Sequence, residues 1–70
     1  MQMSRFVGVK YRTVKRIMTD CGWSIIRKRG SHEVWAKGTE RITLANRPDG
    51  VNQMIVRREF KAHGILPIPK

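Results

Sequence analysis

Three consecutive cations, Arg27, Lys28 and Arg29, run directly into Gly30-Ser31 and then His32. Covalent connection alone keeps the cations, the turn residues and the imidazole close together. Breaking an RNA phosphodiester without a metal needs a base for the proton of the 2′-hydroxyl, cations to neutralise the charge that builds around phosphorus, and an acid for the departing 5′-oxygen. An imidazole exchanges protons near neutral pH, so His32 fits the first role. Arg27, Lys28 and Arg29 fit the second, with Gly30 and Ser31 shaping the turn between them. A histidine just after a turn is usually a surface residue or a phosphate contact. The spacing alone therefore leaves binding and catalysis both open.

The elements that must position these residues are legible on either side. From Lys10 to Cys21 the apolar residues Tyr11, Val14, Ile17, Met18 and Cys21 recur at spacings of three and four, with Arg12, Lys15 and Arg16 on the other side. This predicts an amphipathic helix with a basic outer face, stopped at Gly22. Residues 23–29 are rich in aromatic and β-branched types, Gly30-Ser31 interrupts them, and residues 32–37 resume, which predicts two strands joined by a tight turn. Gly38-Thr39-Glu40 is a second turn signal, and Arg41-Ile42-Thr43-Leu44 alternates polar with apolar as a third strand would. Residues 46–50 read as a loop. Asn52 then caps a second helix whose apolar side includes Ile55, Val56 and Phe60, ending at Gly64. The expected fold is α+β: helix, three-stranded antiparallel meander, helix. Both helices should cover one sheet face, because so small a sheet is stable only with its apolar side buried. Residues 1–9 read as a leader that is mobile or adds an edge strand, 10–66 as the core and 67–70 as a tail, all in one domain.

Composition narrows the partner. Fifteen Lys and Arg against five Asp and Glu give a formal net charge of +10 and a pI near 11.3, the electrostatic footprint of a chain that meets phosphate backbones. With one cysteine, Cys21, no intrachain disulfide can form and no zinc-site spacing exists. Cys21 falls on the apolar side of its helix, as a buried inert thiol would. The acids Asp20, Glu33, Glu40, Asp49 and Glu59 are scattered singly, which argues against a carboxylate–metal nuclease. No metal or cofactor is expected. The first residues lack a signal-peptide pattern and no apolar run approaches the ~20 residues of a membrane span, so a cytoplasmic protein without membrane contact is expected.

Other residues have structural roles in this reading. Strand alternation places His32, Val34 and Ala36 on one face and Glu33, Trp35 and Lys37 on the other. If His32 faces outward, Trp35 packs under the helices, and Trp23 is also assigned to the core over base stacking. His63, beside Gly64, is expected to meet the last carbonyls of the second helix. Arg12, Lys15 and Arg16 form a stripe able to follow phosphates, although such runs, like Arg57, Arg58 and Lys61, are usually solvated faces.

A glycine–aromatic pair closing the first helix (Gly22, Trp23), a basic strand (Arg27, Lys28, Arg29), Gly30-Ser31-His32 and an aromatic three residues on (Trp35) stand in the order typical of one family. Over residues 10–66 the chain resembles the HicA-type (YcfA-like) mRNA interferase toxins. The resemblance includes the Lys-Tyr-Arg opening of the first helix and the stretch from Phe60 to Ile65. It implies a double-stranded-RNA-binding-domain-like fold, ribosome-independent cleavage of mRNA with growth arrest, a catalytic histidine at His32, and neutralisation by a HicB-type antitoxin, with oligomerisation through that antitoxin open. The chain departs from the family pattern in its longer leader, its compact turn after Lys37, and Asn46-Arg47-Pro48 where relatives often carry a histidine or lysine near a proline. A non-catalytic RNA-binding module of the same fold is the alternative. A DNA-associated regulator is disfavoured, because no helix-turn-helix or zinc-finger pattern is present.

Overall fold

The computed structural model describes residues 8–69. In chain order these form β1 (Gly8–Val9), α1 (Tyr11–Asp20), β2 (Ser24–Arg29), β3 (His32–Lys37), β4 (Glu40–Ala45), β5 (Val51–Asn52) and α2 (Gln53–His63). Strands β2, β3 and β4 make an antiparallel sheet with β3 in the centre, and β1 pairs with β5 as a separate two-stranded ribbon. The α+β order of helix, meander and helix is thus present, with β1 and β5 added to it. Of the expected leader, residues 1–7 lie outside the described residues. Gly8 and Val9 pair with Asn52 and Val51, and Val9 is buried.

Both helices end in the same way. At the end of α1, Gly22 takes φ +93°, its N–H bonds Thr19 O at 3.1 Å, and Trp23 N bonds Met18 O at 2.9 Å. At the end of α2, Gly64 takes φ +67°, and Ile65 N bonds Phe60 O at 2.8 Å. A glycine turned left-handed satisfies the orphan carbonyls and sends the next residue back onto the helix, as in a Schellman close. Trp23 and Ile65 are those next residues, and both are buried. The glycine–aromatic pair after α1 therefore stops the helix and sends the chain through the core into β2. At the other helix start, the Asn52 side chain accepts from Met54 N and Ile55 N, the cap expected of asparagine.

One hydrophobic cluster joins the layers. Val14, Ile17 and Met18 from α1 and Val56 and Phe60 from α2 meet Trp35, Ile42 and Leu44 from the sheet. The helices therefore lie on the same sheet face, and Ile68 from the expected tail also packs against the cluster. Among the described residues no helix is long and apolar enough to cross a membrane.

The expected loop at 46–50 contains a tight turn: Gly50 N bonds Arg47 O at 2.9 Å, with Pro48 at the second position and Gly50 at the fourth, where a type I turn favours them. Beyond it, Val51–Asn52 forms β5, a strand too short to carry a period-two signal. Gly50 has φ +107°, and a Cβ there would lie 2.8 Å from the Val9 carbonyl oxygen. Gly30 also has positive φ, +58°, but open space around it. We expect Gly50→Ala to destabilise the fold by about 1–3 kcal/mol, and by more than Gly30→Ala, as read by urea unfolding. Equal effects at the two positions would contradict the close approach of β1.

Candidate functional site

The site is built on two consecutive hairpins. Gly30-Ser31 joins β2 to β3, with Arg29 opposite His32, and Gly38-Thr39 joins β3 to β4, with Lys37 opposite Glu40. In both, the first turn residue is a glycine with positive φ and the second is not, the pattern of two-residue type II′ turns. His32 is exposed at the start of the central strand, paired on one side with Arg29 and on the other with Ala45. Its neighbour Ser31 accepts a hydrogen bond from Asn46 N at 2.6 Å, which fastens the end of the sheet.

Facing residues in an antiparallel ladder share a face. The helix-covered face therefore carries Glu33, Trp35, Ile42 and Leu44, all buried, while His32, Val34 and Ala36 are on the other face as alternation predicted. Trp35 and Trp23 are 1% and 2% exposed, so neither is available to stack on a base. Which cations accompany His32 is decided by a register shift between Ile25 and Arg27. Ile25 pairs with Trp35, Arg27 with Val34, and Ile26 between them is the extra residue of a bulge, 56% exposed. Beyond the bulge, Arg27 and Arg29 lie on the face of His32.

Lys28 does not join them. It pairs with Glu33 on the helix-side face, and its Nζ lies 3.8 Å from Glu33 Oε2. The three consecutive cations are thus divided: Arg27 and Arg29 flank the imidazole face, and Lys28 sits at the rim of the opposite one. Arg41, not singled out by its sequence context, also pairs onto the His32 face, across from Ala36. Its Nη1, however, donates to Gly38 O at 2.8 Å and Glu40 O at 2.9 Å, which commits it to the second turn.

Glu33 is the residue that sequence reasoning missed. On the face of Trp35, where alternation places it, its side chain is fully buried. A buried carboxylate is costly unless paired and hydrogen-bonded. Here the Tyr11 hydroxyl donates to it, lying 2.9 and 2.8 Å from its two oxygens, and Trp35 Nε1 donates at 3.2 Å. Glu33 thereby ties α1 to the central strand one residue after His32. No local signal could have revealed this, because Tyr11 is 22 positions away.

Two further expectations are corrected. His63 does not cap the carbonyls of α2: its Nδ1 lies 2.6 Å from Glu40 Oε1 and its Nε2 3.6 Å from Glu59 Oε1. Its ring stands edge-on to Trp23, with centroids 5.3 Å apart. It clasps α2 to the start of β4, and along that strand Glu40 is roughly 16 Å from Ala45, the partner of His32. Cys21 is only half-buried, with Sγ 3.6 Å from Leu66 O. Arg12, Lys15 and Arg16 are exposed together on α1. Among the described residues no three His, Cys, Asp or Glu side chains gather as a metal site would require. Comparison with known proteins finds no matching family model, no similar curated protein and no similar solved structure.

Burial and then the Glu33 carboxylate push the Tyr11 phenol up from 10 to about 12. Because the folded pKa is the higher one, this contact stabilises the fold below pH 10 and is lost as pH rises toward 12. Tyr11 is the sole tyrosine, so ultraviolet absorbance reads its ionisation directly. We expect a midpoint near 12 in the folded chain that returns to about 10 in denaturant and falls only part of the way in Glu33→Gln, which removes the carboxylate but keeps the burial. A folded-state midpoint near 10 would contradict the buried contact.

Proposed function

We propose that the chain is a HicA-like toxin endoribonuclease that cleaves mRNA in the cytoplasm without a metal and is held inactive by a HicB-like antitoxin. The observation that carries this reading is the exposed imidazole of His32 on an open sheet face beside Arg27 and Arg29, in a chain of net charge +10. Arg29 is the direct cross-strand neighbour of His32, with Cα atoms about 4.5–5.5 Å apart. On the other side Ala45 presents only a methyl group, leaving room for a ribose–phosphate against the ring.

In this mechanism the two guanidiniums hold the scissile phosphate and take up the charge of the phosphorane, an interaction strongest in the transition state. His32 accepts the 2′-hydroxyl proton as that oxygen bonds to phosphorus. The P–O5′ bond then breaks, the 5′-oxygen takes up a proton from water while His32 returns its own to solvent, and the products carry a 2′,3′-cyclic phosphate and a 5′-hydroxyl. Gly30 and Ser31 form the turn that places Arg29 opposite His32. Lys28, on the other face, contributes to the general field around the site and to holding Glu33. The antitoxin is the partner of choice for a cationic face left open by the fold, since a complementary acidic surface would cover it.

One observation favours the alternative of a non-catalytic RNA-binding module: no hydrogen bond orients the His32 ring among the described residues. In the catalytic reading the bound RNA provides that orientation, as catalytic hydrogen bonds often tighten only in the complex. Incubation of the pure protein with a long single-stranded RNA in the presence of chelator separates the two. We expect cleavage to cyclic-phosphate ends, and a His32→Ala variant that binds equally well but cuts at least ~10²-fold more slowly. Tight binding without cleavage would establish the module instead, and undiminished cutting by His32→Ala would remove His32 from the mechanism.

A further inference from the structure

Beside the turn that carries His32 lies a groove of about 540 Å³ between the start of α1 and the loop from β4 to β5. Its walls bring together Lys10, Arg12 and Arg47, three exposed cations from two segments far apart in sequence. Asp49 is the only acid among its lining residues. From sequence, Lys10 figures only in the Lys-Tyr-Arg opening of the first helix and Arg47 only in the Asn46-Arg47-Pro48 departure from the family pattern, with Arg12 in that opening and in a helical stripe.

Both walls are joined by hydrogen bonds to the residues flanking His32. Asn46, in one wall, donates its backbone N–H to Ser31 O at 2.6 Å. Tyr11, in the other, donates its hydroxyl to Glu33. Tyr11 and Glu33 meet on the helix-covered side, whereas Asn46 directly follows Ala45, the cross-strand partner of His32. One wall of the groove therefore adjoins the end of the sheet that carries the imidazole, and a strand seated at His32 would reach the groove by passing round that end. A concave cationic groove is the form in which single strands are held along their backbone.

We propose that this groove is a second phosphate-binding subsite for the RNA strand, in which Lys10, Arg12 and Arg47 hold a phosphodiester neighbouring the one at His32. The proposal rests on the RNA-cleaving reading above and adds to it a site that extends the grip beyond the scissile bond. Lys15 and Arg16, further along α1, have no part in it. Asp49 acts against it, limiting how tightly the strand is retained.

Fluorescence anisotropy with 2′-O-methyl oligonucleotides, which lack the 2′-hydroxyl nucleophile, tests the subsite by length. For a strand of roughly 12 nucleotides, Lys10→Gln/Arg47→Gln should weaken binding about tenfold and reduce the log–log salt slope by about 0.7, the value for one phosphate neutralised on a single strand. A dinucleotide, too short to reach beyond His32, should bind the variant and the parent alike, and Asp49→Asn should tighten only the longer strand. Unchanged affinity and slope for the longer strand would overturn the subsite while leaving the cleavage reading intact. Equal losses for both lengths would overturn it too, by placing these cations at the His32 site. A parent chain that binds neither length would instead overturn the RNA reading, and the subsite with it.

Discussion

The arrangement depends on one register, that of β2 against β3. Alternation makes burial on one face of a strand dictate exposure on the other. With Glu33 and Trp35 buried beneath the helices, His32 must face outward. The bulge at Ile26 then resets β2 by one residue. Without it, continued pairing from Ile25 would place Lys28 opposite His32 and turn Arg27 and Arg29 toward the helices. An extra residue that re-aims side chains at a strand edge is a familiar use of a β-bulge. In this chain it determines which cations stand beside the imidazole.

The buried carboxylate gives that register a second consequence. Glu33 is held by Tyr11 from α1, by Trp35 from its own strand and by Lys28 from β2. Removing any one of these partners would leave the charge less compensated in a low-dielectric interior, where an unpaired group is most costly. The same contact that fixes α1 on the sheet also sets one wall of the cationic groove. Core integrity and the shape of the exposed surface are therefore coupled through a single side chain.

Much of this was legible in the sequence because it rests on local physics. Spacings of three and four marked α1, glycines marked its end and that of α2, Asn52 marked a cap, and the three-residue offset between His32 and Trp35 put them on opposite faces. What was not legible arises from tertiary placement. The run Ser24-Ile25-Ile26-Arg27 contains no glycine or other local mark of a bulge, so Arg27, Lys28 and Arg29 read as one cluster. Alternation put Glu33 on the face of Trp35, but its pairing with Tyr11 was not legible because that partner lies in a different element. Strand β5 is too short for a periodic signal, and the groove cations at positions 10, 12 and 47 meet only when β1, α1 and the β4–β5 loop are assembled. His63 was read from its own helix, whereas Glu40 from the sheet determines its contacts.

The central claim is that the face shared by His32, Arg27 and Arg29 acts on the phosphate and that the face of Lys28 does not. Single-turnover cleavage rates at saturating RNA, compared between Arg27→Gln/Arg29→Gln and Lys28→Gln with folding verified by circular dichroism, test it most directly. The account predicts a loss of at least ~10²-fold for the double arginine variant and a change of only a few-fold for Lys28→Gln. A loss at Lys28→Gln as large as that of the arginine pair, or an arginine variant that cleaves like the parent chain, would contradict it.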